Sequence, residues 1–342
     1  MAKVVTLGEI MLRLSPPGYQ RFAQASDFEI NYGGAEANVA ASLAQFGNDA
    51  AFVSKIPANA IGDAAVATMK KLGVDCRHIV RGGKRLGIYF LENGASVRPS
   101  SVVYDRADSA ITQALAEEFD FDTIFEGVDL FHVSGITPVL SDTAAELTMT
   151  ALKKAKEHGV TVSFDLNYRA KLWTEDVEGK QKMLSDMMPY VDICFGNARD
   201  AAKCLGYTEG DTDFINGDYS ICVDEEHMTN VMKHYGFTHL ITTLRKSISA
   251  SDNGWSGAIC TSSGLYQGSN YNLHIVDRVG GGDSFASGVL HGILADMGAK
   301  KALEFGLAAA AIKHTIPGDL NFISESEVLA LMDSDGAGRV QR

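Results

Sequence analysis

The chain contains little cysteine, fewer basic than acidic residues, and no long apolar run. Its five cysteines are odd in number, widely spaced and without a C-x-x-C pair, so neither a disulfide framework nor a zinc site is expected. Without a run of about 18 apolar residues, no membrane-spanning helix is predicted. The formal net charge of -13 argues against partners such as nucleic acid or an anionic membrane. It does not exclude an anionic small molecule, because a local basic pocket can form in an acidic protein.

Several motifs of nucleotide-binding proteins and hydrolases are missing as well. The chain has no G-x-x-x-x-G-K-[ST] sequence, which argues against a P-loop enzyme. No G-x-G-x-x-G follows the first apolar run, which argues against a dinucleotide-binding domain. Neither H-E-x-x-H nor G-x-S-x-G occurs. The start at Met1-Ala2-Lys3 shows no basic segment followed by a long apolar one, so we expect no signal peptide and a cytoplasmic protein.

Short apolar runs alternate with helical patterns over most of the chain. This alternation predicts an α/β fold with a mainly parallel sheet flanked by helices. The helical patterns extend to Leu72, over Ser141 to His158 and from about Ala198. The predicted strands are Lys3 to Gly8, Ala50 to Ile56, Asp129 to Ser134, Thr161 to Asp165, Asp192 to Phe195 and His239 to Leu244.

Two stretches interrupt this alternation. Residues 13–32 and 84–108 are rich in Gly, Pro, Tyr and polar residues and alternate like strands, with no helix between them. We interpret them as a small β-rich lid; long surface loops are the alternative. The α/β core for nucleotide and substrate then comprises residues 1–12, 33–83 and 109–332. Residues 206–224 form a predicted exposed insertion, and 333–342 a flexible tail.

The strongest local signal is the segment Asp277-Arg278-Val279-Gly280-Gly281-Gly282-Asp283-Ser284-Phe285. Apolar residues recur at helical spacing after it, so the glycines should lie at a helix N-terminus, where backbone N–H groups can bind an anion. Asp283 would lie in the first turn beside that anion. A carboxylate next to converging amides suits phosphoryl transfer, which needs a positioned base and electrostatic stabilisation. An ordinary glycine-rich turn with a dipole-favouring aspartate is the alternative.

A second glycine-rich segment runs from Gly33-Gly34 through Asn38 to Gly47. Val39, Leu43 and Phe46 form an apolar helical stripe in it, and Gly47 suits the C-terminal cap. The paired glycines would let a ligand approach the backbone closely. Alone the pattern is weak, because small residues usually indicate tight packing of a helix on a sheet.

Together, in this order and about 240 residues apart, the two segments resemble the paired signatures of the ribokinase-like (PfkB) carbohydrate kinase family. The resemblance covers nearly the whole chain. It implies a Rossmann-like α/β core with a small β lid, and ATP and Mg²⁺ as cofactors. It leaves a requirement for K⁺ open. It also implies a homo-oligomer formed through the lid.

Further segments resemble the family members that phosphorylate 2-keto-3-deoxygluconate at O6. They are Tyr104-Asp105-Arg106 with Ser109-Ala110, Ser134-Gly135-Ile136-Thr137-Pro138, and Asp165-Leu166-Asn167-Tyr168-Arg169 with Leu172-Trp173. The arginines in these segments suit such a substrate, because arginine can bind the carboxylate or keto oxygen of a sugar acid. A kinase for another sugar acid, fructose or a nucleoside is the alternative. A non-catalytic sugar- or nucleotide-binding regulator is the alternative from another class.

Carried over position by position, the resemblance implies a role for each site residue. Asp283 corresponds to the catalytic base, and Gly280, Gly281 and Gly282 correspond to the anion hole. The substrate contacts are Glu9, Gly33, Gly34, Asn38, Tyr89, Tyr104, Arg106 and Arg169. The nucleotide contacts are Asn197, Leu244, Gly280, Gly282, Ala309 and Lys313, the last two in a region, 308–318, that borders adenine. The metal contacts are Asp200 for magnesium and Asp277 for a monovalent cation.

The chain departs from the family pattern at several of these positions. Arg278 replaces the usual Thr, Gly281 replaces Ala in the anion hole, and Asp200 replaces a Glu that follows Asn197. The strand near Leu244 usually continues into glycines that cover the nucleotide, whereas residues 244–254 carry few glycines here. These changes concern the nucleotide side of the predicted site.

Overall fold

The computed structural model describes residues 1–208 and 223–334. Within them, the strands are β1 (Lys3–Leu7), β2 (Met11–Ser15), β3 (Glu29–Gly33), β4 (Asp49–Ile56), β5 (Ile79–Arg81), β6 (Gly87–Glu92), β7 (Ser101–Asp105), β8 (Leu130–Ser134), β9 (Thr161–Asp165), β10 (Ile193–Phe195), β11 (His239–Ser247), β12 (Asp252–Thr261), β13 (Gly264–Gln267) and β14 (Tyr271–His274). The helices are α1 (Ala35–Gln45), α2 (Ala60–Lys71), α3 (Phe121–Ile124), α4 (Asp142–Glu157), α5 (Val177–Met187), α6 (Ala198–Leu205), α7 (Glu225–Tyr235), α8 (Gly281–Leu294), α9 (Ala299–Lys313) and α10 (Glu325–Met332).

The large sheet has the order β13-β12-β11-β10-β9-β8-β1-β4-β5, with β14 paired to β12. Its strands from β11 to β5 run parallel, and β12 begins an antiparallel edge. The predicted mainly parallel sheet is therefore confirmed. Because parallel strands end on the same edge of a sheet, the residues that follow β1, β8, β9 and β10 lie next to one another.

Apolar packing explains why these runs form central strands. Val4 and Leu130 belong to one buried cluster, whereas their chain neighbours Val5 and Phe131 belong to another. Successive side chains of a strand point to opposite faces, so both faces of this sheet are covered. A strand that is buried on both sides reads as a continuous apolar run, which is the pattern that the sequence shows.

A second, small sheet has the order β3-β2-β6-β7. It is built from the two stretches that lack helices, and β2 pairs parallel to β6 but antiparallel to β3. The small β-rich unit predicted beside the α/β core is thus present. No helix of the described residues is long and apolar enough to cross a membrane.

The predicted elements agree closely with the structure except beyond Leu244. Residues 161–165 form β9 as predicted, and α6 begins at Ala198. The strand predicted to end at Leu244 is longer in the structure, because β11 continues to Ser247 and pairs with β12, which starts at Asp252. Most of the predicted insertion (209–222) and most of the predicted tail (335–342) lie outside the described residues.

Candidate active site

A cavity of about 720 Å³ lies between the small sheet and the carboxyl edge of the large one. Tyr89 and Tyr104 of the small sheet contribute to its lining. From the large sheet come residues that directly follow or end parallel strands, which are Glu9, Ile136, Arg169, Asn197 and Arg245. Ligands of open α/β sheets bind at this edge. The cavity is therefore the candidate active site.

The N-terminus of α8 opens into this cavity. Gly280 is the N-cap residue, and Asp283 is the third residue of the helix. Ser284 donates its backbone N–H to Gly280, but the amides of Gly282 and Asp283 donate to no protein group within the described residues. Free amides at the positive end of a helix dipole form an anion-binding site. The predicted helix start and the predicted position of Asp283 agree with the structure.

Glycine is found at the three positions of this turn for different physical reasons. Gly280 has a positive φ of 77°, and a Cβ there would lie 2.0 Å from the backbone oxygen of Asp319. A Cβ on Gly281 would lie 2.4 Å from the ring of His314. A Cβ on Gly282 would meet nothing within 4 Å among the described residues, because this position faces the open cavity. At Gly280 and Gly281 the missing side chain avoids a clash with protein atoms. At Gly282 it leaves space in the cavity instead.

Asp283 is held by the other glycine-rich segment. The Asn38 side chain donates from Nδ2 to Asp283 Oδ2 at 2.7 Å, and its Oδ1 accepts from the amide of Gly34 at 3.3 Å. Burial raises the pKa of Asp283, while the hydrogen bond from Asn38 and the charge of Arg169 lower it. The two segments that the sequence singled out thus meet at one carboxylate, which can accept a proton.

Gly33 and Gly34 line the cavity, but their missing side chains make room for protein atoms. A Cβ on Gly33 would lie 2.4 Å from the side chain of Asp319, and one on Gly34 would lie 1.9 Å from the backbone oxygen of Glu9. Close approach of the backbone is therefore required here by internal packing as well. The sequence could not distinguish this packing from the predicted approach of a ligand.

A second group of acids borders the cavity on the side of α6. Asp165, Asp200 and Asp283 line a recess of about 190 Å³ that shares Gly282 and Asp283 with the main cavity. Burial and the charge of Asp283 raise the pKa of Asp165 to about 7, and burial raises that of Asp200. Neighbouring carboxylates repel one another, so a cation in the recess would lower their electrostatic cost. Asp165 was not predicted as a site residue.

Mg²⁺ fits this recess in one specific way. In residues 1–208 and 223–334, no three His, Cys, Asp or Glu side chains are arranged to hold a metal ion by themselves. Asp200 also caps α6, since its Oδ2 accepts from the amide of Asn197, whose Oδ1 accepts from the amide of Asp200. Mg²⁺ commonly takes one or two carboxylates and completes its shell with water and substrate phosphates. The recess suits an ion that enters with a nucleotide.

Basic side chains gather around the cavity although the protein is acidic overall. They are Arg106, Arg169, Lys171, Arg199, Arg245 and Arg278. Arg106 forms a close ion pair with Glu9, which fixes its position beside the Tyr104 ring at 5.6 Å. Arg169 is exposed and hydrogen-bonded only to the backbone of Tyr168 within the described residues. These guanidinium groups can bind an anionic ligand, as predicted for Arg106 and Arg169.

Arg245 and Arg278 were missed as site residues. The Arg245 guanidinium lies 5.8 Å from the centre of the Trp255 ring, and within the described residues this side chain forms no hydrogen bond or ion pair. Burial, followed by the charges of Arg278 and Arg169, lowers the pKa of Arg245 to about 10. Repulsion between these neighbouring cations favours binding of an anion. The only sequence signal was the departure from the family pattern at these two positions.

The structure does not bring every predicted contact to the cavity. Ala309 and Lys313 are fully buried in α9 and contribute nothing to the cavity lining. Leu244 lines a separate apolar pocket, with Leu166 and Asn197 among its neighbours there. The hydroxyl of Tyr89 donates to Asp319 in a short hydrogen bond. Asp277, predicted to bind a monovalent cation, instead forms an ion pair with Arg13 at 2.7 Å.

Comparisons with known proteins agree with this geometry. The family model described as pfkB family carbohydrate kinase matches residues 1–325. A 2-dehydro-3-deoxygalactonokinase from Haloferax volcanii is 33% identical over 338 residues, which cover 98% of each chain. A 2-dehydro-3-deoxygluconokinase from Bacillus subtilis is 28% identical, with 95% of this chain and 94% of the relative covered.

Solved structures show the same relationship. The crystal structure of a 2-dehydro-3-deoxygluconokinase from Thermotoga maritima is 48% identical and superposes with a TM-score of 0.92, over 98% of this chain and 100% of that one. An Escherichia coli protein solved with ATP and Mg²⁺ has a TM-score of 0.81 over 97% and 99% of the two chains. At 19% identity, the likeness to the latter concerns the fold alone.

Proposed function

The chain belongs to the pfkB family of carbohydrate kinases, and from that premise we propose that it phosphorylates 2-keto-3-deoxygluconate at O6 with ATP. The observation that carries the proposal is the position of Asp283, at a helix N-terminus that opens into a cavity lined by arginines. The names of the relatives from T. maritima and B. subtilis support the substrate. We place the reaction in the cytoplasm, where thiols such as the buried Cys194 stay reduced.

In this proposal Asp283 acts as the general base. The 6-hydroxyl gives its proton to the carboxylate while its oxygen attacks the γ-phosphorus and the bond to the ADP oxygen breaks. Asn38 orients the carboxylate by its 2.7 Å hydrogen bond. The amides of Gly282 and Asp283 would stabilise the charge on the transferring phosphoryl group, because they are free of protein acceptors in the described residues and lie at the positive end of the α8 dipole.

The nucleotide phosphates are assigned to the same end of the cavity. Arg245 and Arg278 would neutralise phosphate oxygens, which would offset the repulsion by which Arg278 lowers the pKa of Arg245. Asp165 and Asp200 would hold Mg²⁺, which when bound neutralises phosphate charge as a Lewis acid. No additional base is needed near the nucleotide.

The sugar acid is assigned to the side of the cavity that borders the small sheet. Arg169 would bind the carboxylate or keto oxygen. The Lys171 ammonium lies 5.8 Å from the centre of the Tyr104 ring, which Arg106 also contacts. Glu9 Oε1 and Arg106 Nε are buried and lack partners within the described residues. Hydroxyl groups of a bound sugar could satisfy both atoms, and an unsatisfied buried polar atom is otherwise costly.

A coupled assay of ADP release tests the proposal. The panel comprises 2-keto-3-deoxygluconate, 2-keto-3-deoxygalactonate, fructose and a nucleoside, each with ATP and Mg²⁺. We expect the highest kcat/KM with 2-keto-3-deoxygluconate and phosphorylation at O6 by phosphorus NMR. Highest turnover of fructose or the nucleoside would refute the substrate, and no turnover of any compound would favour a binding protein without catalysis.

Replacement of Arg169 should separate acid from neutral substrates. In Arg169→Gln we expect KM for the sugar acid to rise about 10–100-fold, since a hydrogen bond to a charged group contributes about 1.5–3 kcal/mol. The KM for a neutral sugar such as fructose should change less than about threefold. Exposed Arg77, ion-paired with Asp75, offers Arg77→Gln as the matched control. Equal effects on both substrates would remove Arg169 from acid recognition.

We also propose that two copies of the chain associate through the small sheet. Ile30 of β3 and Val103 of β7 are apolar and exposed, at 63% and 49% of their full surface, on the edge strands of this sheet. A second copy would cover these side chains and edges. Sedimentation equilibrium should give at least twice the mass of one chain. In the Ile30→Asp, Val103→Asp double variant, the measured mass should fall towards that of a single chain. A monomeric wild-type protein would contradict this assembly.

A further inference from the structure

Two buried cations lie directly behind the anion-binding turn. Lys313, the last residue of α9, is completely buried, and its Nζ donates to the backbone oxygens of Ile316 at 3.1 Å and Gly318 at 2.8 Å. A Cβ on Gly280 would lie 3.3 Å from Cε of Lys313, so the lysine packs against the N-cap of α8. The ammonium group therefore supports the turn that presents Gly282 and Asp283.

The second cation comes from the small sheet. Arg13 of β2, with a side-chain exposure of 2%, donates to Asp277 at 2.7 Å and to Asp319 at 2.9 Å. Asp277 also accepts from the amides of Gly318 and Val279, both at 3.0 Å. These contacts join the segment before α8 to the segment after α9. Both oxygens of Asp277 are consequently engaged by protein donors.

This arrangement does not fit the monovalent cation that the family resemblance implied at Asp277. The Lys313 ammonium already donates hydrogen bonds to two backbone oxygens near the turn, those of Ile316 and Gly318. The carboxylates of Asp277 and Asp319 attract the charges of Arg13 and Lys313. Within this network the two cations balance the two carboxylates, and Asp283 is a further carboxylate beside it that attracts Lys313. A third positive charge would enter a neutral, buried network whose acceptors are already occupied, which is unfavourable.

We propose that Lys313 and Arg13 are positioning residues that replace a monovalent cation, so that this chain supplies the cation itself and needs no K⁺. The proposal deepens the proposed phosphoryl transfer, because the network fixes the turn whose amides would receive the phosphoryl group. Lys313 touches no reacting atom and acts through Gly280. Its effect on turnover is indirect and geometric.

The first test uses the wild-type protein in chloride salts of equal ionic strength. We expect kcat and the melting temperature to be the same in KCl, NH₄Cl, NaCl and tetramethylammonium chloride, with kcat varying less than about twofold. Activation by K⁺, or a melting temperature that rises in KCl alone, would overturn the proposal. The melting temperature needs no substrate, so this result stands even if the proposed sugar acid is wrong.

Two variants at one position sharpen the test. Lys313→Ala leaves a space lined by the oxygens of Ile316 and Gly318, whereas Lys313→Met fills the same space without charge. Both should lose about 10²-fold in kcat, because small misplacement of a catalytic turn has effects of that order. KCl or NH₄Cl should restore about tenfold in Lys313→Ala and raise its melting temperature, but not in Lys313→Met. If Lys313→Ala folds and no salt affects it, the proposal fails; if it does not fold, the wild-type series decides.

Discussion

Asp283→Asn should lower kcat by about 10²–10⁴-fold while the melting temperature stays nearly unchanged. Loss of a general base has effects of this size. The amide of the substituted residue keeps an oxygen that can accept from Asn38, so the local hydrogen bond is retained. The replacement differs from the wild type mainly in its inability to take a proton. Steady-state kinetics with 2-keto-3-deoxygluconate, together with thermal unfolding, measure both quantities.

An exposed aspartate provides the control for this change. Asp186 lies on α5 in a surface ion pair with Lys182, and Asp186→Asn should leave kcat unchanged. In the wild type, kcat/KM should fall as the pH is lowered towards the pKa of Asp283, which burial raises above the ordinary value of 3.8. The sign follows because only the carboxylate form accepts a proton. Retention of wild-type kcat in Asp283→Asn would remove this residue from the mechanism.

Gly282→Ala should reduce kcat by about 10²-fold, because the added methyl group would displace the phosphoryl group from the amides, and misplacement of reacting groups has effects of about that size. The added methyl group would project into open cavity, where the transferring phosphoryl group is proposed to sit. Gly282 lies in the first turn of α8 without a positive φ, so the helix accepts alanine readily. The melting temperature should therefore stay the same or rise slightly. Kinetics and thermal unfolding of the same preparation test both parts.

Neighbouring glycines distinguish a blocked cavity from a damaged turn. Gly280→Ala places a side chain at a φ of 77° and against the Asp319 backbone, so it should lower both activity and melting temperature. Gly82 has an ordinary φ, and within the described part of the chain its Cβ would touch only Lys55 Cε, at 3.4 Å, so Gly82→Ala should change neither. If Gly282→Ala resembles Gly280→Ala, the turn is structurally fragile and the steric argument fails. Full activity in Gly282→Ala would place the phosphoryl group elsewhere.

Local patterns were enough to predict most of the core. The short strand 161–165 was predicted with the correct bounds, and its middle three residues are buried. The helical spacing of the apolar residues after Asp283 predicted that the glycines before it lie at a helix N-terminus, and they do. That Asn38 reaches Asp283 could not be read from either segment, since periodicity carries no information about distant pairing.

Residues whose role depends on tertiary packing were the ones that the sequence misplaced or missed. Lys313 was predicted to border adenine, but its position at the end of α9 buries it beneath the turn. Arg245 lies within β11, a strand that was predicted to end at Leu244. Pairing with β12 extends the strand past that point, since the antiparallel partner supplies the backbone hydrogen bonds.

The connection of Asn38 to Asp283 also bears on how the enzyme is made. These two residues are 245 positions apart in the chain, and the partners of Arg13 lie 264 and 306 positions from it. During synthesis, the amino-terminal half leaves the ribosome long before its partners exist. A nascent or truncated chain therefore lacks the complete site, because these contacts form only when almost the entire polypeptide has been translated.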